Sequence, residues 1–290
     1  MNKKHIGVLA ILFASVLWAI EPVFVKLSYR NSDFLQTSAI RAMVVTLTAL
    51  VYAMLTSKDS FRINKKQLSI LIYIAIAGTL FADLMYYFAL TKVPVINAVL
   101  IGHMQPVFII LIGFLVLRSD RLTKFDYTGI SFMLISGLLV TTKTPTNLAM
   151  LKLGTFGDIL VLSATVAWAT TAIAMRKYLK GMNTGVITFY RFLFASCVFA
   201  IYLISTSKIS ISNIYQVLLG IVAGVGTILY YEALKRIKAA QVGALELSTP
   251  FFAVILSFFV LGESVTIMQI TGILLLFVGI YYLAKKEELS

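Results

Sequence analysis

Charged residues are scarce in this chain, and their scarcity excludes a water-soluble fold. Only 13% of the 290 residues are charged, whereas 60% are hydrophobic. A soluble domain is roughly a quarter charged. Long apolar stretches recur along the whole sequence, each close to the ~20 residues that cross a bilayer as a helix. The chain is therefore predicted to be an all-α membrane protein with many spans.

Cysteine and histidine are almost absent, which excludes several kinds of site. The single cysteine, Cys197, lies in an apolar run, so it forms no disulfide within the chain and is expected to be an inert core thiol. With only His5 and His103 beside it, the chain has too few ligands for a zinc site. The sequence has no glycine-rich phosphate-binding loop, so neither ATP-driven pumping nor a cofactor is expected.

Ten helical spans are predicted from the apolar stretches, because only helices satisfy their own backbone hydrogen bonds inside lipid. Their bounds are 6–27, 34–56, 68–90, 94–117, 125–142, 155–178, 184–206, 212–234, 239–261 and 265–284. The first span is expected to remain uncleaved, because it is too long for a signal-peptide core and contains Glu21 and Pro22.

Basic residues predict the orientation and account for the net charge of +13. With the N-terminus in the cytoplasm, 17 Lys and Arg residues fall in cytoplasmic segments and six in external ones, as the positive-inside rule requires. Both termini are thus predicted to be cytoplasmic, in the inner or plasma membrane of a prokaryote. Because these residues occupy short turns between spans, nucleic acid is not expected as a partner.

The second half of the sequence repeats the first. The collinear matches, at offsets of 150 and 144 residues, are SVLWA (15–19) with TVAWA (165–169), Arg41 with Arg191, MYYFALTKV (85–93) with LYYEALKRI (229–237), and Pro106 with Pro250. They predict two five-helix halves, 1–142 and 155–290, joined by the connection 143–154. Because five is odd, the second half enters the membrane from the opposite side, an inverted-topology arrangement that is common in secondary transporters.

These features resemble the EamA family of the drug/metabolite transporter superfamily. The shared features are five plus five spans, a Trp-Ala pair in spans 1 and 6, an arginine at the start of spans 2 and 7, and a proline in spans 4 and 9. LSTPFFAVILSFFVLGES (247–264) is especially similar to the family's sequence. The first half has LRSD (117–120) where the second has LGES (261–264), so Glu263 is interpreted as a helix-end feature. The resemblance implies a metabolite carrier with a central cavity between two EamA-like repeats, without implying a substrate.

Ionisable residues inside the spans are the first candidates for a transport site, because burying a charge in a membrane is costly. With the aromatic and polar residues near them, they predict the following lining of a substrate cavity: Trp18, Glu21, Asp83, Tyr86, Tyr87, His103, Gln105, Trp168, Tyr230, Tyr231, Glu246 and Thr249. Aromatic walls with scattered hydroxyl groups suit an organic solute better than a bare ion. Ordinary core packing is the alternative for both tryptophans.

Ion pairs between these residues are predicted to form two gates. The expected pairs are Arg41 with Glu21 or Asp83 near the outer mouth, and Arg191 with Glu232 or Glu246 near the inner mouth. Alternating access requires two gates that open in turn, and such pairs are able to close them. The alternative is that the arginines extend to lipid headgroups and the acids only neutralise them.

Three prolines inside spans, Pro22, Pro106 and Pro250, are predicted to interrupt their helices, because proline frees the carbonyl group four residues earlier. Interrupted helices at corresponding positions of two halves point to a transporter's binding site; kinks that serve only packing are the alternative. His103 and Glu246 each lie one turn before a proline and are candidates for relaying protons as the coupling ion. Alternatively, His103 only bonds to a neighbouring helix.

The sequence therefore predicts a secondary transporter that moves a small organic metabolite, amino acid-like or otherwise amphipathic, by alternating access. A flippase or scramblase of lipid-linked substrates is the alternative, and it would need a groove open to lipid. An intramembrane enzyme is a third class that no catalytic motif supports, and a channel is disfavoured because no filter-like loop or acidic ring is present. Small residues that allow close helix packing, in the scaffold or in a homodimer, are Gly129, Gly137, Gly272 and Gly279.

Overall fold

The computed structural model describes residues 3–56, 61–112, 123–152, 154–179, 181–207, 210–237, 242, 245–246 and 248–289. Helices are the only regular secondary structure in these ranges. Parts of the fourth and ninth predicted spans lie outside them, as does LRSD (117–120).

The helices are numbered along the chain, with Lys65–Leu90 taken as one helix that includes a π-helical stretch. Their bounds are α1 (Lys3–Ser28), α2 (Phe34–Thr56), α3 (Lys65–Leu90), α4 (Val95–Gly102), α5 (Gln105–Ile112), α6 (Lys124–Thr142), α7 (Pro145–Ala149), α8 (Phe156–Tyr178), α9 (Thr184–Ser205), α10 (Ile214–Arg236), α11 (Ser248–Leu261) and α12 (Ile267–Leu289). α7 lies in the predicted connection 143–154, for which no helix was expected.

Seven helices of the described ranges are long and apolar enough to cross a membrane, namely α1, α2, α3, α6, α8, α9 and α10. Shorter apolar helices cover Val95–Ile109, Ser248–Leu261 and Ile267–Tyr282. Large apolar side chains point outwards, with Leu55 80% and Phe259 78% exposed. Hydrocarbon is the solvent in which such a surface is stable. The chain is a multi-pass helical membrane protein, and this part of the prediction is confirmed.

Helix starts follow from short polar motifs. Thr155 and Asp158 form a capping box before α8: the Asp158 N–H donates to the Thr155 hydroxyl at 3.3 Å, and the Thr155 N–H donates to the Asp158 carboxylate at 2.8 Å. Each bond satisfies a backbone donor that has no partner inside the helix. Pro145 lies in the first turn of α7, where its missing N–H costs nothing. The sequence thus determines these helix ends locally.

Of the three predicted helix breaks, the one near Pro106 is present in the described structure and the one at Pro22 is not. α1 continues through Pro22 without interruption, as membrane helices do when neighbouring groups compensate for the lost hydrogen bond. The fourth span is interrupted, but at His103 and Met104, and Pro106 is the second residue of the helix that follows. Pro250 is the third residue of α11. Pro106 therefore lies in a first turn, where no N–H donor is required. Position 247, immediately before α11, lies outside the described residues.

α6 and α12 pack closely against each other through glycines. A Cβ atom at Gly279 would lie 2.5 Å from Met133 Cγ and 2.9 Å from the Gly129 carbonyl oxygen. A Cβ atom at Gly272 would lie 2.8 Å from Val140 Cγ2. These glycines make contacts inside one chain, which agrees with the scaffold role offered for them.

Gly279→Ala is expected to destabilise the protein by about 1–3 kcal/mol, because overpacking forces a well-packed contact apart. The measurement is the melting temperature of the detergent-purified protein. Gly181→Ala is the matched control, since a Cβ atom there meets nothing within 4 Å. Equal melting temperatures for the two variants would contradict the close approach of α6 and α12.

Cys197 is exposed on α9, which corrects the expectation of a core thiol. Its neighbours Val198 and Ile201 are also exposed, at 49% and 69%. In a membrane protein the outward face is as apolar as the core. Hydropathy therefore identifies the span but not which of its faces is buried.

Candidate functional site

A cavity of about 170 Å³ lies among the helices, lined by α1–α5, α8–α11 and Glu246. No described residue of α6 or α12 reaches it. All twelve residues predicted for the substrate cavity lie on its wall, together with Arg41, Arg191 and Pro22, whereas Glu232, Pro106 and Pro250 do not. The volume is below the ~300–1,000 Å³ of pockets for drug-sized ligands, so the cavity suits a small solute.

Six further lining residues were not among those predicted: Ala98, Val99, Gly102, Thr171, Ala172 and Thr227. Thr171 lies three residues after Trp168 in α8, so helical periodicity places it on the same face. The small apolar residues carry no comparable signal, because they are common throughout membrane helices.

Asp83 of α3 lies at the centre of an ionic cluster. Its Oδ2 accepts a hydrogen bond from Arg41 Nη1 at 2.8 Å and lies 3.3 Å from Arg191 Nη2. Its Oδ1 accepts a bond from Trp168 Nε1 at 2.8 Å. Both arginines and Asp83 are at least nine-tenths buried. One carboxylate therefore joins the arginines of the two predicted halves.

Arg41 contacts both acids that the sequence offered as its partners. Its Nη2 donates to Glu21 Oε1 at 2.8 Å, in addition to the bond to Asp83. The Tyr87 hydroxyl donates to the same Glu21 oxygen at 2.7 Å. The Arg41 guanidinium also lies 5.0 Å from the centre of the Tyr87 ring, within the range of a cation–π interaction.

The pairing predicted for Arg191 is wrong. Arg191 donates to Thr79 Oγ1 at 2.9 Å and to the Tyr231 hydroxyl at 3.3 Å, and its charged partner is Asp83. Glu232 accepts a bond from Thr184 Oγ1 at 2.6 Å and pairs with Arg236 one turn later. Within the described ranges, both arginines meet at Asp83 in a central cluster, and the inner ion pair predicted for Arg191 is not formed.

Local backbone geometry explains why Arg191 reaches Asp83. Residues Ala75–Asp83 of α3 form a π-helical stretch, and such stretches occur frequently at functional sites. Within it, Gly78 leaves space for the guanidinium, since a Cβ atom there would lie 3.1 Å from Arg191 Nη2. A larger side chain at position 78 would push the arginine away from Asp83.

Aromatic rings form the apolar part of the wall. Trp18 contacts Tyr230, with 4.9 Å between ring centres, and Tyr86 contacts Trp168 at 5.2 Å. Trp18 and Trp168 are related by the sequence offset of 150 residues, and both border the cavity. Neither is therefore an ordinary core residue packed on all sides.

His103 and Glu246 face each other on the same wall. His103 Nε2 lies 4.0 Å from Glu246 Oε1, and its Nδ1 lies 2.7 Å from the Val99 carbonyl oxygen. His103 Nε2 and Thr249 Oγ1 are buried without a hydrogen-bond partner in the part of the chain that the structure describes. Both residues line the cavity, so these atoms are hydrogen-bonding groups left unused at its wall.

Glu263 connects the end of α11 to the start of α4. Its carboxylate accepts bonds from the N–H groups of Val95 at 2.9 Å and Ile96 at 3.3 Å, and from Lys26 Nζ at 3.0 Å. A carboxylate at a helix N-terminus is favourable because of the unpaired N–H groups and the helix dipole. This contact agrees with the interpretation of Glu263 as a helix-end feature.

Over the described ranges, no group of three or more His, Cys, Asp and Glu side chains is placed to hold a metal ion.

Comparison with known proteins assigns the family. The pattern of the EamA-like transporter family matches residues 5–142 and again residues 155–284. The chain belongs to the EamA-like transporter family. The resemblance identified from the sequence is thereby confirmed, and it is consistent with the drug/metabolite transporter superfamily.

Relatives of this EamA-like protein are named as transporters and not as enzymes. An uncharacterized transporter of Methanothermobacter thermautotrophicus is 26% identical over 245 residues, covering 77% of this chain and 66% of the relative's length. The uncharacterized transporter YyaM of Bacillus subtilis is 24% identical, covering 82% and 79%. A relative in Clostridium kluyveri is 23% identical, covering 97% and 94%.

A solved crystal structure has the same fold. It superposes with a TM-score of 0.67 at 16% identity, covering 97% of this chain and 98% of the other.

Proposed function

We propose that the protein is a secondary transporter that moves a small organic metabolite across the membrane by alternating access through the central cavity. The observation that carries this proposal is the cluster around Asp83, where arginines from the two sequence halves share one carboxylate on the cavity wall. Buried ionisable residues inside membrane proteins typically mark a solute pathway.

The proposed architecture has ten membrane crossings in two inverted repeats, 1–142 and 155–290, with both termini in the cytoplasm. The two separate family matches support it. So does a contact between Thr46 Oγ1 and Ser196 Oγ at 3.1 Å, because these residues are 150 positions apart, the same offset as the sequence repeat. Residues related by a two-fold axis meet each other only near that axis. The three shorter apolar segments complete the ten crossings.

The cluster is proposed to couple the two halves during transport. Removing one partner of a buried ion pair leaves an uncompensated charge, which costs about 3–5 kcal/mol. The halves therefore move relative to each other only if Asp83 keeps a cationic partner at each stage. With an arginine on either side, one of them is able to hold Asp83 while the other moves.

Reconstitution into liposomes tests the proposed function. Purified protein is first screened by thermal stabilisation against amino acids, amines, sugars and nucleosides; a ligand at about 100 times its dissociation constant adds roughly 2.7 kcal/mol if it binds only the folded state. Solutes that stabilise the protein are then tested for counterflow uptake. We expect uptake above that of protein-free liposomes, lost in Asp83→Asn and retained in Glu232→Gln.

The same liposomes distinguish the lipid alternative. Labelled lipids in both leaflets report scrambling, and we expect none beyond the protein-free background. Scrambling without uptake of any soluble solute would reject the metabolite transporter and favour the flippase. A pH gradient across the liposomes tests the proposed proton relay through His103 and Glu246. If the relay operates, the gradient must drive accumulation of the solute inside the liposomes.

A further inference from the structure

We propose that the cavity contains a binding site for a primary ammonium group, formed by His103, Glu246 and Thr249. The inference rests on the proposed transport function and specifies the chemistry of the solute. It begins at the His103 ring, because the surroundings of that ring determine which of its nitrogens carries the proton.

The proton of neutral His103 lies on Nδ1. This atom is 2.7 Å from the Val99 carbonyl oxygen, and a carbonyl oxygen only accepts hydrogen bonds, so Nδ1 must donate. Nε2 of the neutral ring is then an acceptor. It is buried and has no partner among the described residues, and a buried acceptor without a donor is destabilising.

Glu246 presents a second acceptor to the same space. Its Oε1 lies 4.0 Å from His103 Nε2, longer than the about 2.7–2.9 Å of a charge-assisted hydrogen bond. The two atoms face each other across a gap that a donor is able to bridge. A nitrogen placed to the side of the line that joins these two atoms is able to lie about 2.9 Å from both.

The remaining charges on the wall do not neutralise Glu246. They are paired with each other, Arg41 with Glu21 and Asp83, and Arg191 with Asp83. In the part of the chain that the structure describes, the ion-pair contact of Glu246 is with His103, whose neutral ring carries no charge. A cationic solute supplies the missing charge.

Thr249 provides a third acceptor. Its hydroxyl is buried without a partner within the described ranges, and it lines the same cavity three residues after Glu246. A primary ammonium has three N–H donors, as a lysine side chain does, which matches three acceptors. A quaternary ammonium has no N–H and would leave all three unpaired.

Aromatic rings accommodate the rest of the solute. Trp18, Tyr86, Trp168 and Tyr230 line the cavity, and ring faces attract cations and pack against apolar groups. The cavity volume of about 170 Å³ limits the solute to a small body. The proposed ligand class is therefore a small primary amine with an apolar or aromatic body; an amino acid carries the same ammonium group.

Calorimetric titration of the purified full-length protein tests the site with 2-phenylethylamine as the probe. Two analogues change only its polar end: 2-phenylethanol removes the charge, and N,N,N-trimethyl-2-phenylethylammonium keeps the charge but removes the N–H donors. We expect the amine to bind at least about tenfold more tightly than either analogue, since each lacks charged hydrogen bonds that the amine makes.

Variants locate the binding to these residues. Glu246→Gln and His103→Phe are each expected to weaken amine binding by about tenfold or more, and Thr249→Val by a smaller factor. Glu232→Gln is the matched control, because this acid lies outside the cavity lining. This variant should bind the amine with the same affinity as the wild type. The conservative Thr249→Val change keeps the test informative if a larger change prevents folding.

The outcomes separate the two proposals. Phenylalanine is a fourth probe, and it supports the ammonium site if its binding depends on Glu246. The affinity for phenylalanine relative to that for the amine reports whether a carboxylate is also recognised. Equal binding of either analogue, an amine affinity unchanged in Glu246→Gln, or binding of neither the amine nor phenylalanine would overturn the site. In those cases, uptake of another solute that requires Asp83 would retain the transporter and reject only the ammonium site.

Discussion

Asp83→Asn is expected to abolish transport and to lower the melting temperature more than any other single change in the cavity. The Asp83 carboxylate accepts bonds from Arg41 and Trp168 at 2.8 Å and lies 3.3 Å from Arg191. Asparagine has a similar size but no charge and one acceptor fewer. Arg41 would then keep Glu21 as its carboxylate partner, whereas Arg191 would lose its charged partner in the described structure, at a cost of about 3–5 kcal/mol.

A double variant shows whether the loss comes from unbalanced charge. Removing one guanidinium together with the carboxylate, in Asp83→Asn with Arg191→Gln, should recover part of the melting temperature, because coupled residues do not contribute additively. Transport should remain lost, since no carboxylate joins the halves. If Asp83→Asn alone melts and transports like the wild type, the cluster has neither of the proposed roles.

Arg41→Gln is expected to be more damaging than Arg191→Gln, although the two arginines occupy equivalent positions in the repeat. Arg41 pairs with two carboxylates, and its removal leaves Glu21 with the Tyr87 hydroxyl as its hydrogen-bond donor in the described structure. Removal of Arg191 leaves Asp83 still bound to Arg41 and Trp168. Melting temperature and uptake should both be lower in Arg41→Gln than in Arg191→Gln. The additional unpaired charge should lower the free energy of unfolding by about a further 1–3 kcal/mol.

Lysine variants provide the control for this comparison. Arg41→Lys keeps the charge but not the two-sided geometry that binds Glu21 and Asp83 together. It should retain more stability than Arg41→Gln and recover little uptake. If Arg41→Gln lowers melting temperature and uptake no more than Arg191→Gln does, the contacts to Glu21 contribute little to stability and transport.

The lining of the cavity was accessible to sequence reasoning because polar and aromatic groups inside membrane spans are costly without a reason. Glu21 and Asp83 stand out against apolar neighbours, and both line the cavity together with Trp18 and Trp168. Lining residues such as Ala98 and Gly102 were missed, because residues of this type are found on every face of a membrane helix.

The partners of the charged residues were less accessible. The position of Arg191 in its span suggested a gate on the inner side, but its long side chain reaches Asp83 through the space at Gly78. That space depends on a π-helical stretch, for which the sequence has no clear signal. The same limit applies to Glu263, whose place at a helix end was foreseen while its contacts with Val95 and Lys26 were not.

Pro22 illustrates a third limit. The sequence predicts a break at this residue, and the helix runs through it. The tendency of proline to break a helix is a weak guide where neighbouring helices stabilise the backbone on all sides. Only the tertiary structure shows whether such neighbours are present.

The four charges of the Asp83 cluster have a consequence for bioenergetics. Arg41 and Arg191 carry two positive charges and Glu21 and Asp83 two negative ones, so the cluster is electrically neutral. A membrane voltage acts on net charge, at about 2.3 kcal/mol per elementary charge per 100 mV. If the four side chains stay at the same depth in the membrane while their pairing changes, they transfer no net charge through that field. Voltage dependence of uptake would then report the charges of the solute, of any coupling ion and of Glu246, which lines the cavity outside the cluster.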